Sequence, residues 1–118
     1  VHGDEELPYN FISGAEGIGG WTDRLATLQK QFCDSLESTT ADFQQVYGYA
    51  TDAPGTANMT MCTNQISQRF DCLAMTLEQP FKDSAITPEP VAGWSPARCR
   101  RLGASTLDAL AVVIDRLR

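Results

Sequence analysis

Four cysteines, Cys33, Cys62, Cys72 and Cys99, constrain the fold of this 118-residue chain more than any other feature. Cys62 and Cys72 fall in one stretch whose apolar residues recur at helical spacing. On a helix, ten residues turn the chain through about 1000° and advance it about 15 Å. A disulfide needs Cα atoms within roughly 7 Å, so these two cannot bond to each other, and their partners must be Cys33 and Cys99. A turn near Asp52 folds the chain back so that Cys33 comes level with Cys72. Both flank the apolar stripes of their helices, beside Phe32 and Leu73. The expected bridges are therefore Cys33–Cys72 and Cys62–Cys99, each stabilising by about 3–4 kcal/mol through the unfolded chain. The alternatives are four unpaired core thiols in a cytosolic protein and a four-cysteine zinc site, and no C-x-x-C pair supports the latter. Disulfides persist in oxidising compartments. The pattern thus predicts a secreted or periplasmic protein whose signal peptide has been removed ahead of Val1.

Apolar periodicity places three helices. Trp21, Leu25, Leu28, Phe32, Leu36, Phe43 and Val46 recur at helical spacing over 21–47, closed by Gly48 and "TDAPG". Met59, Cys62, Ile66, Phe70, Leu73 and Leu77 mark a second helix over 58–79, with Asn58 as N-cap and Pro80 as stop. Ser95 and Pro96 start a third, which Leu102, Leu107, Leu110, Val113, Ile114 and Leu117 carry to the end. Residues 80–94 hold three prolines and read as an irregular crossover. Residues 1–20, rich in glycine, read as an arm that pins Tyr9, Phe11 and Ile12 on the body. No strand alternation stands out. The expected fold is all-α: an N-terminal arm (1–20) and a disulfide-linked bundle of three main helices (21–118).

Charge narrows the function. The formal net charge is −6, the wrong sign for a general nucleic-acid binder. Residues 1–96 carry 13 acids and 4 bases, whereas Arg98, Arg100, Arg101, Arg116 and Arg118 crowd the end. No apolar run is long enough to cross a membrane as a helix.

Candidate chemistry is sparse. "GAEGIGG" at 14–20 has the glycines of a phosphate loop but neither the Gly-Lys-Ser/Thr ending nor a βαβ context. His2, the one histidine, sits near the terminus, which argues against a histidine-based triad. It could join the terminal amine in holding copper or nickel, but the signal is weak. "NMT" at 58–60 is a glycosylation tripeptide that helix capping by Asn58 already explains. Arg98, Arg100 and Arg101 stand in the first turns of a helix, where cations oppose the dipole. The protein's own acids, or less simply an acidic partner, would offset them. Trp94, in a loop, is the best exposed anchor.

These readings lead to a protein-binding module, such as an inhibitor or immunity protein, and not an enzyme. Its acidic surface, with Asp34, Glu37 and Asp42, suits a partner's basic cleft. Trp94, Arg98, Arg100 and Arg101 complete the expected contact set. The alternative is a carrier that holds a lipid or other small apolar ligand in the helical core, and an enzyme subunit or cryptic hydrolase ranks last. No metal or other cofactor is expected.

Overall fold

A computed structural model describes residues 1–117. The fold is mixed α/β. Strand β1 (His2–Asp4), strand β2 (Phe11–Ser13), helix α1 (Asp23–Thr39), helix α2 (Cys62–Phe70), strand β3 (Thr76–Pro80) and helix α3 (Pro96–Val113) follow in order. A short 3-10 turn, Ile114–Arg116, ends the described chain. The sheet runs β1-β3-β2. β1 lies parallel to β3, with His2 opposite Glu78 and Asp4 opposite Pro80. β2 lies antiparallel on the other side, with Phe11 opposite Glu78 and Ile12 opposite Leu77.

The all-α expectation is therefore wrong, and the supposed arm holds two of the three strands. The second helix is the decisive error. α2 stops at Phe70 because Asp71 turns left-handed (φ 46°), and the Ser67 hydroxyl holds the Cys72 carbonyl at 2.9 Å. The chain beyond runs extended into β3. There, successive side chains face opposite ways: Leu77 enters the helix-side core and Glu78 points to the other face. The apparent helical stripe ran through this junction by coincidence. Ile66 and Phe70 are exposed, while Asn64 and Ser67 are the buried side chains of α2.

No disulfide forms, and all four cysteines are free. The pairing argument required α2 to lie along α1. Instead α1 packs chiefly on α3, and α2 makes no extended contact with either. Cys33 is buried in the core, whereas Cys62 is exposed at the start of α2. The export argument thereby loses its premise.

Other elements match their sequence signals. Leu25, Leu28, Phe32 and Leu36 form the buried face of α1, as its periodicity predicts. The helix ends at Thr39, short of the expected 47, so Phe43 reaches the core from a loop and Val46 is exposed. Thr22 caps α1 by accepting the Leu25 amide. Ser95 and Pro96 do open α3. Its buried face is Arg98, Leu102, Ala109 and Val113. Leu107, Leu110 and Ile114, expected inside, are exposed.

Candidate active site

The face of the sheet turned away from the helices holds the candidate site. Parallel pairing sets His2 and Glu78 side by side, and the His2 Nδ1 lies 3.0 Å from the Glu78 Oε2. The His2 side chain is largely exposed, whereas Glu78 is buried. Phe11, across β3 from His2, forms the next side chain in the row. A buried carboxylate within hydrogen-bond reach of an exposed histidine marks a candidate functional site.

Asp4, one strand turn further, fixes the local walls. Its Oδ1 accepts the amides of Glu6 (2.7 Å) and Leu7 (3.1 Å), and its Oδ2 accepts the Tyr49 hydroxyl (2.7 Å). Burial alone would raise the Asp4 carboxyl. The Tyr49 and amide bonds, with the nearby His2, hold it below the usual carboxylate range. Desolvation and the bond to Asp4 push the Tyr49 phenol up, so it remains a proton donor. The Tyr49 ring also meets Phe11 edge-on, with centroids 5.0 Å apart. Asp4 thus ties the segment that follows α1 to the His2–Glu78 pair. A polar pocket of about 300 Å³ adjoins Phe11 and Tyr49 and includes Glu16 and Gln29 in its walls.

Imidazole and carboxylate are the donor types that suit zinc and its neighbours. Two such donors meet here. Among the described residues no cluster of three or more His, Cys, Asp or Glu could hold a metal ion. The pair therefore fits part of a metal site, and its other ligands would have to come from outside this chain.

The residues singled out from sequence lie elsewhere. Trp94 is not an exposed anchor: it is buried, with the Arg98 guanidinium 4.6 Å from its ring centroid. Arg98 is buried as well. Its Nη2 donates to Asp42 Oδ1 (2.5 Å) and the Thr87 carbonyl (2.8 Å), and its Nη1 donates to Asp83 Oδ1 (3.0 Å). The protein's own acids thus offset its position in the first turn of α3. Asp42 belongs to this internal network rather than to an acidic surface. Arg100 and Arg101 are exposed. Asp34 pairs with Lys30 at 2.5 Å, and Asp34 and Glu37 both accept from Gln45. None of these residues joins the His2–Glu78 face. Sequence reasoning set His2 aside as terminal and left Glu78 unremarked inside a supposed helix. Within "MTLEQP" only Thr76 favours a strand, while Glu78 and Pro80 do not, so no local signal marked β3.

No family model matches the chain. It is 44% identical, over 99% of its length, to an uncharacterized protein of Zymomonas mobilis, of which it covers 31%. A metallo-carboxypeptidase from Pseudomonas aeruginosa, in complex with (2-guanidinoethylmercapto)succinic acid, superposes with a TM-score of 0.94 at 47% identity, covering 98% of this chain and 31% of that one. A metallo-carboxypeptidase from Burkholderia cenocepacia gives a TM-score of 0.89 at 36% identity, with coverages of 96% and 30%. The chain thus spans about a third of the length of these relatives. These matches overturn the inhibitor, immunity-protein and apolar-carrier readings, and with them the expectation of a non-enzyme. The chain is a segment structurally related to metallo-carboxypeptidases.

Proposed function

We propose that this chain supplies His2 and Glu78 to the active site of a metallo-carboxypeptidase, a hydrolase of the C-terminal peptide bond. The observation that carries the reading is the 3.0 Å approach of His2 Nδ1 to a buried Glu78 carboxylate on adjacent strands, in a chain so similar to metallo-carboxypeptidases. His2 would hold the metal through a ring nitrogen. When bound, the metal supplies Lewis-acid polarisation of the peptide carbonyl. Glu78 is the proton carrier: its carboxylate oxygen takes a proton from the attacking water and delivers it to the departing amine nitrogen. Its burial keeps the carboxylate oriented and limits competition from bulk solvent. Asp4 holds Tyr49 and so shapes the wall beside this pair.

The test is a chimera in which this chain replaces the matching 31% of the Pseudomonas protein. It should release the C-terminal residue from peptides when supplied with zinc. (2-Guanidinoethylmercapto)succinic acid, which the Pseudomonas protein binds, should inhibit it. A folded, metal-loaded chimera without peptidase activity would overturn the reading.

A further inference from the structure

The row of side chains that starts at the His2–Glu78 pair continues along the sheet. Two residues advance a strand by about 7 Å, and one such step from Glu78 and Phe11 brings Thr76 opposite Ser13. Side chains alternate in direction along a strand, so these four share one face. Helix α2 closes this end: the Thr63 and Thr76 hydroxyls are hydrogen-bonded at 2.8 Å. Beside α2, where β2 ends, lies a second polar pocket of about 210 Å³, whose lining includes Ser13, Glu16, Tyr49, Asp52 and Asn64. Glu16 and Tyr49 also line the pocket of about 300 Å³, so the two adjoin.

The pocket is rich in hydrogen-bond acceptors. Glycines at 14 and 17 bring its acids together. A Cβ at Gly14 would strike the Glu16 and Gln29 side-chain oxygens, and one at Gly17 would strike the Asp52 Cβ. The Gly17 carbonyl accepts the Ala57 amide at 3.1 Å, which holds the segment after Asp52 against the pocket. The "GAEGIGG" stretch therefore cradles carboxylates, the reverse of a phosphate loop. Gln29 donates to Glu16 Oε1, and no described group donates to Glu16 Oε2. Asn64, only 5% exposed, donates through Nδ2 to the Asn58 carbonyl at 3.0 Å, and no described group donates to its Oδ1. The Gln29 Oε1 is buried with no partner. No lysine, arginine or histidine lines either pocket. Two carboxylates and two idle amide oxygens call for a cation with several N–H donors. An apolar occupant would leave these acceptors unpaired, and an acidic one would be repelled.

We propose that this pocket receives the side chain of the residue being released and selects a cationic one, lysine or arginine, with Glu16 as the specificity-determining charge. The inference deepens the proposed function and rests on it for the identity of the occupant. The partial burial of Glu16 lessens the screening of its charge by salt. A guanidinium or ammonium there meets a carboxylate whose geometry Gln29 already fixes, and such charge-assisted bonds are the strong ones. Asp52, exposed at the pocket rim, adds a second attraction.

Two readouts test this separately. The first is binding of arginine and of citrulline, its neutral isostere, to this chain without metal, by calorimetry. Arginine should bind at least about tenfold more tightly, and Glu16→Gln should bring the two within about twofold. Asp52→Asn, at an exposed site that folding tolerates, should reduce the discrimination by about threefold. Equal binding of arginine and citrulline, or discrimination that survives both substitutions, would overturn the proposal. The second readout is the chimera with the Pseudomonas protein, assayed on peptides that differ only in the C-terminal residue. Lysine and arginine should exceed leucine and glutamate by about tenfold or more in kcat/KM, and Glu16→Gln should remove that preference while leaving leucine turnover within about twofold. A preference for leucine or glutamate would overturn the proposal. An inactive chimera beside a chain that still discriminates arginine would overturn the peptidase reading and keep the cation pocket.

Discussion

Replacing Arg98 by methionine removes a buried charge while keeping an apolar stem against Trp94. The wild-type side chain is 7% exposed and its partner Asp42 15%. The change leaves Asp42 without its counter-charge and the Thr87 carbonyl without its donor. Breaking a buried ion pair from one side costs about 3–5 kcal/mol. Asp42 keeps some contact with water, so we take the lower end, about 3 kcal/mol, which agrees with the range for one charged hydrogen bond plus a lost neutral one. Asp83 adds nothing to this figure: it is more exposed, and it keeps the amides of Ser84 and Glu89 when Arg98 is gone. For a chain of this size, the change should lower the thermal midpoint by about 10 °C. Urea denaturation followed by circular dichroism gives the free energy, and a cycle with Asp42→Asn gives the coupling, expected near 2 kcal/mol. A loss below about 1 kcal/mol, or additive single changes, would refute the view that this network pins the 81–94 segment onto α3.

Phe32→Ala should cost about 3–5 kcal/mol as a core truncation, against at most about 0.5 kcal/mol for Glu37→Ala on the surface; comparable urea midpoints would mean that the buried face of α1 is misassigned. Asp4, Asp42 and Asp83 all sit below the usual carboxylate range in the fold. Their contribution is complete above about pH 4 and is lost as the pH falls through their lowered values. Tyr49→Phe removes one of the bonds that lower Asp4 and should flatten this acid limb; a steeper limb would contradict the assignment. Without reductant, four thiols should titrate in denaturant. In the native chain Cys62 should react fast and Cys33 slowly, because burial pushes the Cys33 thiol up to about 12 and the thiolate is the reactive form. A mass two or four units low would restore the bridges.

Long periodic segments were readable. Leu25, Leu28, Phe32 and Leu36 announce the inner face of α1, and Ser95-Pro96 announces the start of α3, because both signals are local. The strands were not readable. His2–Asp4 and Phe11–Ser13 span three residues each, too few for alternation to register. They form only because β3, more than sixty residues later, offers hydrogen bonds to both. Glu78 is buried by that long-range pairing, and nothing within "TLEQP" foretells it. Leu107 and Leu110 misled for another reason: their apolar character is real, yet the packing of α3 leaves both exposed. The cysteines misled because their spacing was read on a helix that ends at Phe70.

The division of labour between His2 and Glu78 offers the most direct test of the account. In the chimera, zinc content and peptide turnover can be measured on the same sample for His2→Ala and Glu78→Gln. His2→Ala should lose metal and activity together. Glu78→Gln should retain its metal and lose about 10²–10⁴-fold in kcat, the range for a removed general base. Full turnover in Glu78→Gln, or undiminished metal affinity in His2→Ala, would contradict the roles assigned to the two residues.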